Sequence, residues 1–486
     1  MDPTRPEPTL DPCDWDAFRA ASHRALDDMI DRLASVRDRP VWVETPPRVR
    51  AALRQPLPHA PSPLESVLET FRSDIAPYAN GNGHPLFMGW VHGAGTPVGM
   101  IAEMLAAGLN ANCGGRNHVA IDVERQITLW AAEAFGFPRE ASGVFVTGSS
   151  MANFLGLLVA RNAALGDHVR QEGLSGARLT AYASAQAHGC VTQAMELAGI
   201  GSNLLRPIEV DAAGAMRVDD LEQAMAADRA AGLRPFLVVG TAGSVNTGAI
   251  DDLDALADVA RAQNAWFHVD GAFGAMAALA PRLAPKLKGL ERADSLAFDF
   301  HKWAHVPYDA GFLLVRDAEA HRRTFASSAA YLSRAPRGLA AGDVWPCDLG
   351  PDLSRGFRAL KTWVALTHFG ADAIGASVDH CCVIAQRLAA LLAASGRFEI
   401  CAPVALNIVC FSFIASHDGA LNEAAVMHLH ESGVAAPSIT RWRGRPVIRA
   451  AIVNHRTQLA DMETFVDALQ SFERAQERIA TASVSR

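Results

Sequence analysis

Nowhere in these 486 residues does an apolar run approach the roughly 18 consecutive positions that a membrane-spanning helix needs. Basic residues are not in surplus either. Lys and Arg number 44 against 52 Asp and Glu, a formal net charge of −8, and no basic stripe breaks the pattern. A polyanion-binding protein would carry such a stripe, so neither nucleic acid nor a membrane is an expected partner. The eight cysteines, at positions 13, 113, 190, 347, 381, 382, 401 and 410, include no C-x-x-C pair. Zinc sites need Cys and His at short fixed spacings, so no metal is expected. The opening, MDPTRPEPTLDP, lacks the basic n-region and apolar h-region of a signal peptide. A disulfide framework is therefore not expected, and a cytoplasmic location is. The cysteines, the Cys381-Cys382 pair among them, then serve as small buried hydrophobes. Aromatic residues are scarce, at 7%, so composition lends no support to an aromatic ligand. What is present is core: half of the residues are hydrophobic and 20% are charged, enough apolar material for two or three domains.

Three regions follow from the patterning. Residues 1–85 form a helical arm, with helical periodicity over Trp15 to Val36, a proline-rich break, and a second amphipathic segment over Leu64 to Ile75. Its apolar faces need a partner, which a second copy of the chain would supply. Residues 86–375 alternate short apolar runs with helical stretches. GVFVT (143–147), FLVVGTA (236–242), AWFHVD (265–270), SLAFDF (295–300) and GFLLVRD (311–317) read as strands. MANFLGLLVARNAAL (151–165) and Asp251 to Asn264 read as helices. Buried strands flanked by helices mark an α/β domain with a mainly parallel sheet covered on both faces. Ser327 to Asp352, rich in Pro, Gly and small residues, reads as a long loop of the kind that serves as a lid. Residues 376–486 make a smaller α+β unit, with helices over Val378 to Ala394 and Met462 to Arg478.

Three sites carry chemistry. Thr147-Gly148-Ser149-Ser150 lies between a strand and a helix, where free backbone N–H groups attract an anion. No Gly-Lys-Ser/Thr follows, so it is not a Walker A loop. Asp270 ends an apolar strand, and in open α/β sheets the carboxyl ends of strands face the ligand crevice. His301-Lys302 follows another apolar run, and a desolvated lysine becomes a usable amine nucleophile. Taken singly, each has an ordinary structural reading as a cap, a turn former or a solvent-facing loop residue. Together, an anion site, a strand-end carboxylate and a strand-end lysine are the parts that pyridoxal phosphate needs. His188, in ASAQAHGC, adds an imidazole able to lie over the ring.

HPLFMGWVHGAGTP (84–97), GSSMAN (148–153), SAQAH (184–188), HVDGAFG (268–274), DFHKW (299–303) and SRGFRALKTW (354–363) resemble, in that order, the group II pyridoxal-phosphate-dependent amino-acid decarboxylases. That family includes the aromatic-L-amino-acid, histidine and glutamate decarboxylases, and the likeness covers about residues 60–480. It implies the fold type I, aspartate-aminotransferase-like architecture and pyridoxal 5'-phosphate as cofactor. Lys302 would then be the Schiff-base lysine and Asp270 the partner of the pyridine nitrogen. Ser149 and Ser150 would bind the phosphate, helped by Ser295 and His301. Ala272 would lie under the ring and His188 over it. Ser244, in TAGSVNTG, matches a segment that faces the cofactor in the family. Tyr331 falls where family members carry a mobile-loop tyrosine, the candidate proton donor alongside His188. Trp90, His92, Asn112 and Ser354 would meet the substrate.

Two departures from the family stand out. LNANCGGRNH (109–118) replaces aromatic or branched residues, so Asn112, Gly114 and Arg116 open a roomier, more polar pocket, and His92 replaces a common proline. Arg116 is a candidate partner for a side-chain carboxylate. Asp299 stands where eukaryotic aromatic members have an amide, and is expected to contact a neighbour rather than the phosphate. The resemblance implies decarboxylation of an L-amino acid to its amine, aromatic substrates favoured, by a homodimer with shared active sites. The alternatives are an acidic amino-acid decarboxylase, an aldehyde synthase on the same fold, an aminotransferase, and a non-catalytic cofactor-binding scaffold. Intact Tyr331 and His188 argue against the aldehyde synthase and intact Lys302, Asp270 and His188 against the scaffold, while the motifs match an aminotransferase less well.

Overall fold

Seven strands, β1 (Ser142–Val146), β2 (Leu179–Ser184), β3 (Leu205–Ile208), β4 (Arg234–Thr241), β5 (Trp266–Asp270), β6 (Ser295–Asp299) and β7 (Gly311–Val315), join in the order β1-β7-β6-β5-β4-β2-β3. β7 runs antiparallel to both neighbours, and the other six are parallel to one another. The computed structural model describes residues 9–327, 333–342 and 344–484. β1, β4, β5 and β6 are buried over nearly their whole length, as strands covered on both faces must be. The architecture is fold type I α/β. β2 and β3 were not among the strands expected from the sequence. LTAYAS is built of small and hydroxyl residues, and β3 is a short edge strand carrying Pro207, where a proline costs the ladder little.

The helix Ser149–Leu165 packs on β5, β6 and β7. Two glycines allow its close approach. A Cβ on Gly156 would stand 2.8 Å from His268 Cε1, and one on Gly311 would stand 2.4 Å from Gly148 Cα. The first lets the helix lie directly on β5. The second lets the start of β7 pass against the loop that opens the helix.

A second, antiparallel sheet holds β8 (Phe398–Ile400), β9 (Ile408–Phe413), β10 (Ser438–Trp442) and β11 (Arg445–Ala451) in the order β10-β11-β9-β8. Residues 86–88 hydrogen-bond into it, Met88 N donating to Ala436 O and Ala451 N to Met88 O, both at 2.9 Å. That stitch carries Trp90 and His92 toward the large sheet. The helix opening this region runs over Ala371–Ala394, seven residues earlier than the periodicity predicts, and the closing one over Leu459–Val484. The first of these is, by length and a mean hydropathy of 1.3, apolar enough to cross a membrane, which corrects the expectation that no segment would be. Its inward residues, Val378, Cys381, Ile384 and Leu388 among them, are buried in the core.

The N-terminal arm begins with the helix Trp15–Ala34, capped by Asp14, whose carboxylate accepts from Asp16 N and Ala17 N. The helix Leu64–Thr70 continues into a π turn over Phe71–Ile75. Only Ala21 of the first helix is buried, while Trp15, Phe18 and Ile30 are exposed.

Candidate active site

Because six strands are parallel, Val146, Thr241, Asp270 and Asp299 all reach the same edge of the sheet. A cavity of about 300 Å³ opens there, lined by residues from the ends of β1, β4, β5 and β6 and by the 90–92 segment. Of two larger hollows, one of about 610 Å³ lies elsewhere and one of about 640 Å³ shares Trp90 and His92 with this cavity, but neither has a lysine in its wall. The smaller cavity gathers Lys302, Asp270, Asp299, His188 and His301.

Gly148 caps the helix Ser149–Leu165 without a side-chain hydrogen bond of its own. Ser149 N donates to Asp299 Oδ1 at 2.6 Å. Asp299 Oδ2 lies 3.0 Å from Lys302 Nζ and 3.7 Å from His301 Nε2. The lysine is therefore not the isolated ammonium that its place after an apolar run suggested. A buried carboxylate lies beside it.

Asp270 is buried at the end of β5, and its Oδ1 accepts from Ala272 N at 3.1 Å. Burial pushes its carboxyl up from the ordinary value, opposed by the Lys302 charge, the Ala272 N–H, His188 and a hydrogen bond from Asn153. His188 stands at the mouth, its Nδ1 accepting from Cys190 N at 3.2 Å, so the proton of a neutral ring sits on Nε2. His301 Nδ1 accepts from Ala310 N at 3.0 Å and its ring lies 4.3 Å from that of Tyr308. Burial lowers its pKa. Trp90 and His92 stack at 5.9 Å, and His92 is lowered by burial and then by the charges of Lys302 and Arg449.

Of the residues singled out from the sequence, Lys302, Asp270, His188, Ser149, Ser150, Ala272, His301, Trp90 and His92 come together here. Others do not. Ser295 opens β6 at the opposite edge of the sheet, four residues and about 13 Å from Asp299 at the usual rise per residue. Its hydroxyl bonds His268 and Trp266 instead of a phosphate. Ser244 folds back into its own turn, its Oγ 2.9 Å from Thr247 Oγ1 and accepting from Ala249 N, while its neighbours Gly243 and Val245 line the cavity. Asn112 Oδ1 accepts from Gly114 N and Arg355 N, tying its loop to the 353–355 segment outside the cavity of its own chain. Ser354 is exposed, and Arg116 stacks over Trp345 at 4.6 Å rather than beside a carboxylate. Tyr331 lies outside the described residues.

The sequence reading missed Thr241 and Tyr308, both in the cavity wall, and Arg449, buried in β11 outside that wall. Thr241 ends a strand that had been read, so the strand-end logic applied to Asp270 would have found it. The other two belong to no motif that the residues alone announce.

These groups fit pyridoxal phosphate: a helix N-terminus without a side-chain cap for the phosphate, a buried carboxylate for the ring nitrogen and a lysine between them. A profile of the pyridoxal-dependent decarboxylase conserved domain matches residues 46–414. The chain belongs to that family. As a member of it, this protein is a pyridoxal-phosphate-dependent amino-acid decarboxylase, and its cofactor is pyridoxal 5'-phosphate. The decarboxylase is 31% identical over 456 residues to the aromatic-L-amino-acid decarboxylase of Bacillus atrophaeus, covering 92% of this chain and 93% of that one. Its structure is similar to that of Oryza sativa TDC with PLP and tryptamine, at a TM-score of 0.88 and 25% identity over 96% of this chain and 100% of that one. It is also similar to Rhodiola rosea 4-hydroxyphenylacetaldehyde synthase, at 0.86 and 25% over 96% and 99%. Each of these names describes the relative.

Proposed function

We propose that this decarboxylase converts an aromatic L-amino acid to the corresponding amine and carbon dioxide, as a cytoplasmic homodimer whose sites draw on both subunits. The substrate reading is carried by Trp90 and His92 in the cavity wall, stacked at 5.9 Å, with the buried Phe87 ring packed 5.7 to 5.9 Å from both. Tyr308 meets His92 edge-on at 6.2 Å. Stacked rings favour a flat substrate side chain through apolar contact and quadrupole fit. The likeness to the Bacillus atrophaeus enzyme supports the same reading. The eight cysteines are free thiols, as a reducing compartment keeps them.

When bound, the cofactor supplies an electron sink for the pair left at Cα as carbon dioxide departs. The chain does the rest. Lys302, 3.0 Å from Asp299 Oδ2, would hold the cofactor covalently until the substrate amine replaces it. Asp270 holds a proton at the ring nitrogen. Ala272, with only a methyl group, would leave room for one face of the ring, and His188 would cover the other. Tyr331 would return a proton to Cα.

The dimer reading rests on what is left uncovered: Trp15, Phe18, Val67, Phe71 and Ile75 are exposed on the arm. We read Asn112, Ser354 and Arg116 as facing the partner subunit's site. Light scattering at twice the chain mass is the expected result, and a stable, active monomer would overturn the dimer.

Arg449 favours a second reading, an acidic substrate. Its Nη1 donates to Gly89 O at 2.9 Å and Ser438 Oγ at 3.1 Å, while Nε and Nη2 have no partner among the described residues. Burial lowers its guanidinium to about 10, and an unpaired buried cation is satisfied by an anion. A panel of L-tyrosine, L-tryptophan, L-histidine, L-glutamate and L-aspartate, scored for carbon dioxide and amine, decides between them. Aromatic turnover supports the first reading, and release from the acidic pair alone replaces it with the second.

A further inference from the structure

The hollow of about 640 Å³ that shares Trp90 and His92 with the cofactor cavity is built from three separate stretches of chain. Trp42 comes from the end of the arm, Phe87, Trp90 and His92 from the strand-like segment, and Met427, His430 and Glu431 from the end of the helix Ala420–Glu431. Backbone hydrogen bonds tie the three together. Val41 N donates to Gly433 O at 2.8 Å, Met88 N to Ala436 O at 2.9 Å and Gly433 N to His430 O at 3.0 Å. The hollow is therefore shaped before anything enters it, which spares a ligand the cost of ordering it.

Its chemistry has one sign. Trp42, Trp90 and Met427 are large apolar side chains left exposed together, a clustering that scattered surface hydrophobes do not show. The face of an indole is the negative side of its quadrupole. Glu431, the last residue of its helix, brings a carboxylate with no ion pair or hydrogen bond among the described residues. The helix C-terminus adds partial negative charge. His430 Nε2 donates to Pro437 O at 2.8 Å, which in a neutral ring leaves Nδ1 as an acceptor. Among the described residues, no lysine or arginine lies in the wall. Aromatic faces, a thioether and unpaired acceptors suit a positive charge carried on an apolar body. A metal ion does not fit, because no three His, Cys, Asp or Glu side chains group as a metal site needs among the described residues.

We infer that this hollow is a second small-molecule site, one that takes an organic ammonium ion of the class the decarboxylase releases. An alkylamine stays protonated at neutral pH, as a lysine side chain does. Each turnover thus frees such a cation in a cavity that shares two rings with this one. Its ammonium pairs with Glu431 and the indole faces, and its body packs on Met427. The leaving amine gains a station outside the cofactor cavity. That the body is aromatic rests on the substrate reading above, whereas the charge of the head follows from decarboxylation alone.

The test uses cofactor-loaded enzyme and N,N-dimethyl-2-phenylethylammonium, a tertiary amine that cannot form a Schiff base with the cofactor. Calorimetry is expected to show saturable binding with the visible cofactor spectrum unmoved. Glu431→Gln, which removes the charge and keeps the shape, should weaken the probe roughly fivefold. Trp42→Ala should weaken it by about the same factor. 2-Phenylethanol, similar in shape but uncharged, should bind at least about tenfold more weakly than the probe. Melting temperature and cofactor spectrum establish that each variant is folded and loaded. No saturable binding, or native affinity in a folded Glu431→Gln, overturns the site. So does a Trp42→Ala enzyme whose mass by light scattering falls to a single chain, since a second copy would then fill the hollow. The amino-acid panel separates the two levels: turnover of the acidic pair alone refutes the aromatic substrate, while probe binding weakened by Glu431→Gln still supports the ammonium site.

Discussion

The carboxyl edge of the large sheet and the rim around it are built differently. At the edge, charged and polar groups find partners within their own chain: Asp299 holds Lys302 and the Ser149 N–H, and Asp270 takes the Ala272 N–H. On the rim, the arm leaves Trp15, Phe18 and Ile30 exposed, and the 110–118 loop is fastened by Asn112 well away from its own cavity. The base is thus satisfied within one chain, while the rim leaves apolar side chains exposed.

Substitutions can break this contrast at either side. The largest effect is expected at the base. Lys302→Ala should abolish the visible absorbance of lysine-bound cofactor and lower turnover by at least about a thousandfold; a native spectrum in that variant would refute the lysine's role. Next comes the joint between the two regions. The Arg355 guanidinium, itself buried, bonds both Glu124 oxygens, the Cys113 carbonyl of the rim and the Phe145 carbonyl of β1. Glu124→Ala leaves that cation buried without its counter-charge, a loss of about 3–5 kcal/mol, read as a lower denaturant midpoint.

Acid should act on the base. Burial pushes His268 down to about 3 and His321 down to about 4 from 6.5. The unfolded chain takes up protons below pH 6.5 that the folded chain refuses. The stability these rings lend is complete above pH 6.5 and is lost as pH falls toward their folded values, by up to about 1.4 kcal/mol per pH unit for each. Asp251, pushed up to about 6, and Asp270, also raised, return part of it. A melting temperature that drops between pH 6.5 and 4 is the expected net result, and one that rises would show the carboxyls dominating.

The smallest expected effect sharpens the contrast rather than breaking it. Asp299 stands at the helix N-terminus where a phosphate would bind. Asp299→Asn removes the competing anion and should tighten cofactor binding several-fold, by about the worth of one charge at a helix end, as titrated by fluorescence. Unchanged or weaker binding would mean that the carboxylate assists loading.

Much of the base was legible because each of its groups follows an apolar run, where polarity changes abruptly at a strand end. Asp270, His301 and Lys302 were found that way. Ser295 was misread because a motif gives the neighbourhood of a residue but not which end of its strand it occupies. The serine opens β6 and the lysine follows its close. Ser244 failed for a different reason, since a hydroxyl in a tight turn is satisfied locally before it can reach a ligand. Arg449 was invisible because its significance lies in the partners it lacks, and a sequence does not record those. The rim was least legible of all, because Asn112 and Arg116 act through the geometry of a long loop rather than through a periodic element.

Gly156 carries a consequence for how this enzyme tolerates change. The residue lies in the middle of a helix and is absent from the cavity wall, yet a methyl group added there would press on the His268 ring. Sequence drift at such a position is normally silent. Here an alanine would push the His268 ring and its bonds to Ser295 and Asn153 out of place, so the packing of the helix on β5 is open to selection at a site that no survey of the active-site lining would include.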